Sequence, residues 1–131
     1  MDCLANNESI ILSFKYSIKD KKHSIEHIFK TKNNNKKVIQ SLFAKFEELS
    51  NLTWKELQNR PKKSGYETIP ISQFKINLDS IKRDLELADD SKIIVFRFNE
   101  QNSRLLGVKS SKCKSILYII GYDWDYSAYR H

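Results

Sequence analysis

The residues best suited to chemistry lie in the last third of the chain. Arg97 and Arg104 belong to two short apolar stretches separated by a polar turn. The chain then ends in DWDYSAYRH, which combines two acids, two phenols, an arginine and a histidine within Asp123–His131. Guanidinium groups bind phosphate, and phenol rings can stack on nucleic-acid bases. If both arginines share a face with this terminal run, the pattern predicts a phosphate-holding site flanked by aromatic rings.

The same residues also permit a purely structural interpretation. Arg97 could form a cross-strand ion pair with Asp123 or Asp125, while the terminal aromatic rings cover a sheet edge. Two arginines side by side on neighbouring strands repel each other unless an anion lies between them. We therefore expect Arg97 or Arg104 to contact one of these aspartates or a bound anion, with Tyr126 and Tyr129 near the same hollow.

Other kinds of site have little support in the sequence. There is no glycine-rich phosphate loop, zinc-ligand spacing or nucleophile elbow, so no metal or cofactor is predicted. His23 and His27 are four residues apart in a lysine-rich stretch, which is typical of a solvated face. Cys3 and Cys113 have no histidine or cysteine at metal spacing, and two free thiols in a reducing cytoplasm are expected.

Three strands must position the arginines. KIIVFRFN, SRLLGVK and SILYIIGYD are short, apolar and separated by polar turns, which predicts a C-terminal meander. The third carries apolar residues on both faces, as expected of a central strand. Near the start of the chain, Ser9–Ile18 alternates apolar and polar residues, and we expect this strand to join the same sheet.

Helices are predicted to pack on this sheet. The stretch 36–49 has apolar residues at helical spacing, and core packing explains that stripe fully. Thr53 and Glu56 have the spacing of a capping box that opens a second helix. Pro70 confines the extended stretch 68–76 to an edge, and 80–87 is predicted to be helical. The 131 residues thus predict one α+β domain: an N-terminal strand and two or more helices on one face of a small antiparallel sheet that ends in a meander.

The charge of the chain favours a polyanionic partner. It has 23 Lys and Arg against 16 Asp and Glu, a net charge of +7, and nucleic acid is the first candidate. A lysine-rich composition that biases every surface is the alternative. No apolar run is long enough for a membrane span. The residues predicted to contact RNA are Arg60, Lys62, Lys63 and Lys109.

A resemblance to a known family follows from these motifs. A helical pair on a small sheet, then F-R-F, R-L-L-G and an apolar strand leading into D-x-D-Y-x-x-Y-x-H, resembles the RelE/ParE toxin superfamily, in particular HigB-type and related phage or plasmid toxins. The resemblance implies a cytoplasmic, metal-independent endoribonuclease that cleaves mRNA on the ribosome and is inhibited by a cognate antitoxin. The residues it assigns to catalysis are Arg97, Arg104, Tyr126, Tyr129 and His131.

Two other functions fit the sequence. One is a non-enzymatic binding module of a phage or mobile element, which docks a protein or nucleic-acid partner. The sequence contains no unmistakable acid–base pair, which favours this function. The other is RNA or DNA binding through a basic face without cleavage, for which affinity should fall steeply with salt.

Overall fold

A computed structural model of the protein describes residues 9–30, 35–125 and 127–129. These residues form five strands and four α-helices along one chain. Their order is β1 (Ile11–Ser13), α1 (Ile25–Lys30), α2 (Lys36–Ser50), α3 (Trp54–Gln58), β2 (Glu67–Pro70), α4 (Asp79–Asp84), β3 (Lys92–Phe98), β4 (Ser103–Lys109) and β5 (Ile116–Asp123). Short 3₁₀ turns at Lys21–His23 and Ile71–Gln73 complete the described elements.

All five strands form one sheet in the order β1-β5-β4-β3-β2. Strands β3, β4 and β5 are the predicted antiparallel meander, and the α+β class is confirmed. The N-terminal strand joins the same sheet, as expected, but β1 runs parallel to β5. The sheet is therefore mixed, and the prediction of an antiparallel sheet is wrong for this edge. A parallel pair requires a crossover, and here everything from α1 to β4 lies between the two strands.

One face of the sheet is covered by α2 and α3. Leu42, Leu49 and Trp54 are almost fully buried there against strand residues that include Phe96 and Leu105. The predicted capping box at the start of α3 is present in full, since the N3 backbone N–H donates to the N-cap side chain and the N3 carboxylate accepts from the N-cap backbone. The predicted bounds of α2 also agree with the structure to within one residue.

The apolar stripe of α2 is not wholly core. Phe43 is 57% exposed and Phe14, before it in the chain, is 56% exposed. Both rings contact Phe46 edge-to-face, with centroids 5.9 and 5.4 Å away. The prediction that core packing explains the whole stripe is therefore wrong at Phe43, whose ring lies at the edge of the core and packs against Phe46.

The second face of the sheet has its own core. Ile81 of α4 packs there with Ile93, Val95 and Leu106, so helices cover both faces rather than one. Helix α4 is also shorter than the predicted stretch 80–87. It ends at Asp84, and Glu86 then adopts a positive φ of 54°, a left-handed conformation that a continuing α-helix does not allow.

Two further findings concern crosslinks and membranes. Cys113 is disulfide-bonded, so the prediction of a free thiol is wrong at this position, whereas Cys3 lies outside the described residues. Among the described residues, no helix is long and apolar enough to span a membrane.

Candidate functional site

The strand register brings the two predicted arginines together with an acid. Arg97 of β3 pairs with Arg104 of β4, and Arg104 pairs with Asp123 of β5. Directly paired residues on neighbouring strands have side chains on the same face. The three charged groups therefore form a row across the second face, near the end of the sheet where the polar turn 99–102 connects β3 to β4.

Glu67 is the anion beside Arg97. This residue of edge strand β2 places a carboxylate oxygen 3.7 Å from Arg97 Nη2, whereas the sequence suggested Asp123 or Asp125 for that role. Arg97 Nη1 donates to the Gln101 side chain at 3.4 Å. Its Nε is buried and has no hydrogen-bond partner among the residues that the structure describes. The side chain is about one-fifth exposed, and the contacts of its two Nη groups are long, so these groups can donate to a further anion.

Arg104 and Tyr129 are enclosed instead. They are 6% and 3% exposed, and Arg104 Nη1 donates to the main-chain oxygens of Gln101 at 2.7 Å and Ser103 at 3.2 Å. Burial, followed by the nearby Glu67 carboxylate, raises the pKa of the Tyr129 phenol, although the positive charge of Arg104 acts in the opposite direction. A phenol with this environment stays protonated at neutral pH and is poorly suited to accept a proton.

The basic loop lies next to Arg97. Lys62 is 3.9 Å from the same Glu67 carboxylate, and the main-chain oxygen of Lys63 accepts a hydrogen bond from Gln101 Nε2 at 3.5 Å. Arg60, on the same loop, pairs with Glu48 of α2 at 3.0 Å. We call Arg60, Lys62, Lys63 and Arg97 the basic patch.

Three other predicted site residues do not join this patch. Lys109 ends β4, five residues from Arg104 and so about 17 Å along the strand, and its ammonium lies 4.6 Å from the centre of the Trp54 ring. Desolvation lowers the pKa of Lys109. Tyr126 and His131 lie outside the described residues.

A second polar cluster surrounds His23, which the sequence suggested was solvated. That prediction is wrong, because His23 is 2% exposed. Its Nδ1 lies 3.2 Å from Asp20 Oδ2, while its Nε2 lies 3.0 Å from Ser127 Oγ and 4.0 Å from Asp123 Oδ1. Ser127 N–H donates to Asp123 Oδ1 at 2.8 Å. One ligand atom each from His23, Asp123 and Asp125 lie within 4.8 Å of one another.

Gly121 allows the histidine segment to approach the sheet this closely. A Cβ at position 121 would lie 2.6 Å from Ile18 Cδ1 and 3.1 Å from the main-chain oxygen of His23. Asp20 also caps the 3₁₀ turn through the Lys22 N–H at 2.9 Å, which fixes its carboxylate beside the imidazole. The i,i+3 spacing of Asp20 and His23 was the only local signal, since Asp123 and Ser127 are about a hundred residues away in sequence.

Comparisons of the chain with protein-family models, curated proteins and solved structures found no match. The resemblance to the RelE/ParE toxins therefore stays a prediction, and the site must be interpreted from its own geometry.

Proposed function

We propose that the protein binds RNA through the basic patch and acts there as the toxin of a toxin–antitoxin pair, an endoribonuclease that cleaves ribosome-bound mRNA. Its partners would be mRNA, the ribosome and a cognate antitoxin. The observation that carries RNA binding is that Arg97 lies next to the loop 60–64. Glu67 and Gln101 each contact both Arg97 and this loop. Cleavage rests on the sequence resemblance.

The basic patch suits a phosphate chain. Three of its four cations already contact Glu48 or Glu67 at 3.0 to 3.9 Å, and Lys62 is largely exposed. For the more exposed cations Arg60 and Lys62, such ion pairs contribute only about 0–1 kcal/mol to stability, so a phosphate can replace their carboxylate partners at low cost. The Nη1 and Nη2 groups of Arg97, whose contacts with Gln101 and Glu67 are long at 3.4 and 3.7 Å, can donate to that phosphate.

Cleavage would use the ribose 2′-hydroxyl as the nucleophile at the adjacent phosphate. That hydroxyl loses its proton, the O–P bond forms, and the leaving 5′-oxygen takes up a proton. Arg97 would stabilise the charge that builds on the phosphate. The resemblance assigns proton transfer to Tyr126 or Tyr129 together with His131, and the burial of Tyr129 favours Tyr126. Tyr129 and Arg104 are too enclosed to contact RNA. In this proposal they have a structural role and help to hold the neighbouring Arg97 and Asp123 in position.

Expression in bacteria tests the toxin proposal. Induction of the wild-type protein should arrest growth and cut reporter mRNA within its coding region, and Arg97→Ala should relieve both effects. Lys112→Ala is the control variant, because it removes one cation at the other end of the sheet. This variant should remain toxic. Circular dichroism would show that each variant is folded. Normal growth with an abundant, folded wild type would contradict the proposal.

A non-enzymatic binding module is the second candidate, and the burial of Arg104 and Tyr129 favours it. In that case the purified protein binds RNA and leaves it intact. Replacement of Tyr126, Tyr129 or His131 then alters RNA binding or protein stability, and there is no RNA cleavage for it to change. Quantification of cleaved and bound RNA in the same samples separates the two candidates.

The compartment can be tested separately. A cytoplasmic location belongs to the toxin proposal, but stable disulfides such as that of Cys113 are typical of oxidising compartments. If the thiols are alkylated at the moment of cell lysis and Cys113 is found alkylated, the bond is absent in the cell, as the cytoplasmic proposal requires. Recovery of the oxidised form would contradict a reducing location.

A further inference from the structure

We propose that His23, Asp123 and Asp125 bind a divalent first-row transition-metal ion. One imidazole nitrogen and two carboxylate oxygens lie within 4.8 Å of one another, at a point where the turn at residues 21–23 meets the end of β5. Mixed nitrogen and oxygen ligands of this kind suit Mn²⁺, Fe²⁺ and Zn²⁺. This inference concerns a different cluster from the basic patch and does not depend on RNA binding.

The charge of the cluster attracts a cation. Asp20, Asp123 and Asp125 together carry three formal negative charges. Arg104, which pairs with Asp123 across the strands, supplies one positive charge, so the formal charges of these four side chains sum to −2. Asp123 is fully buried, where the attraction between its carboxylate and a cation is screened least by water.

The imidazole is oriented as a ligand. Asp20 Oδ2 lies 3.2 Å from His23 Nδ1, and its negative charge there favours a proton on that nitrogen. The lone pair of Nε2 then points toward Asp123 and Ser127. A carboxylate on the far nitrogen of a metal-binding histidine is common in metalloproteins, because it fixes the ring and increases its basicity.

The distances require only a small adjustment for coordination. With metal–ligand bonds of about 2.0–2.2 Å, tetrahedral ligand atoms lie roughly 3.4 Å apart. His23 Nε2 and Asp123 Oδ1 are 4.0 Å apart, so shifts of about half an ångström bring this pair to coordination distance, and the pairs with Asp125, within 4.8 Å, need shifts of at most about 1.4 Å. Asp125 is exposed, and Ser127 Oγ, 3.0 Å from Nε2, could be the fourth ligand.

The same geometry could suggest a nucleophilic serine, since Ser127 Oγ is hydrogen-bonded to His23 Nε2 and Asp20 lies beside Nδ1 of the same ring. The position of Asp123 argues against that activity. Its carboxylate accepts the Ser127 N–H at 2.8 Å, so a negative charge lies where an oxyanion would develop. Oxyanion sites need donors at that position, whereas a metal ion is stabilised by the carboxylate.

The test is a titration of the full-length, oxidised protein with Zn²⁺, and separately with Mn²⁺, by isothermal calorimetry. We expect one site per chain. Asp125→Asn, at an exposed position where the variant should fold normally, is expected to weaken binding at least tenfold. Asp20→Asn should weaken it roughly 10- to 100-fold although Asp20 does not touch the metal. His27→Ala is the matched control and should bind as the wild type does.

Broadening of the His23 imidazole resonances by Mn²⁺ in NMR spectra would locate the ion. Equal affinities for wild type and Asp125→Asn would overturn the proposal, as would binding that His27→Ala abolishes. A dissociation constant above about 1 mM would show surface association only and would overturn it too. Toxicity is not among these readouts, so the two proposals can fail separately.

Discussion

Arg97 and Arg104 have the same charge and are neighbours on adjacent strands, yet their surroundings assign them different tasks. Arg104 is enclosed and donates to two main-chain oxygens, so its charge is held within the protein. Arg97 is more open, it faces Glu67 at 3.7 Å, and its Nε has no partner among the described residues. Of the two, Arg97 is the residue that a phosphate can reach.

This difference predicts opposite effects for two substitutions. Arg97→Ala should reduce RNA affinity about tenfold or more with little loss of stability. Tyr129→Phe should leave RNA affinity unchanged and lower the free energy of unfolding by about 1 kcal/mol, because it removes a buried hydroxyl that interacts with the charged Arg104 guanidinium. Filter binding and urea denaturation measure the two quantities. Reduced RNA affinity in a folded Tyr129→Phe protein would contradict the structural role given to this phenol.

At the scale of elements, β5 connects both clusters. Its end carries Asp123, which faces Arg104 on one side and His23 on the other, and Gly121 provides the space in which the His23 turn packs. The irregularity between Leu106 and Gly107 in the β4–β5 pairing shifts the register before this end. The close packing of the His23 backbone on Gly121 therefore helps to determine where the His23 cluster lies.

Two glycine substitutions separate packing from the site. Gly121→Ala would place its Cβ against Ile18 and the His23 backbone, and Gly107→Ala would place its Cβ 2.8 Å from a Leu117 side-chain atom, on β5 and away from His23. Both should destabilise by about 1–3 kcal/mol through overpacking. Only Gly121→Ala should also weaken Zn²⁺ binding. Equal loss of Zn²⁺ affinity in both variants would mean that the effect is general destabilisation.

The two faces of α2 provide a second test at this scale. Leu42→Ala should destabilise by about 2–5 kcal/mol because Leu42 is 1% exposed. Phe43→Ala, one residue further on and 57% exposed, should cost well under half of that. Urea denaturation of the two variants measures the difference, and a larger loss at Phe43 would show that this ring is covered in solution.

Local patterns predicted the parts of this fold that local physics determines. Alternation predicted β3, β4 and β5, and the Thr53–Glu56 spacing predicted the start of α3. The parallel direction of β1, the packing of α4 on the second face and the His23 cluster depend on which distant segments meet. His23 and Ser127 are 104 residues apart, and no short-range periodicity specifies such a contact. The same limit explains why Glu67 was missed as the acid beside Arg97.

At the scale of the whole molecule, a net charge of +7 attracts any polyanion, so RNA binding alone would not locate the site. The position of the charge matters more. The basic patch lies at the sheet end that carries the 99–102 turn, while Lys112 and Lys114 lie in the turn between β4 and β5 at the opposite end. Reversal of charge at either end changes the net charge equally, which makes the two pairs a matched comparison.

The central claim is most directly tested by the salt dependence of binding to single-stranded RNA for three proteins: wild type, Lys62→Glu/Lys63→Glu and Lys112→Glu/Lys114→Glu. For the wild type, log affinity should fall linearly with log salt, by about 0.7 per phosphate contact. The Lys62→Glu/Lys63→Glu variant should bind RNA at least tenfold more weakly, with a salt slope reduced by roughly 1–2. The Lys112→Glu/Lys114→Glu variant should lose much less RNA affinity. Equal weakening by both pairs, or wild-type binding that is insensitive to salt, would contradict the account.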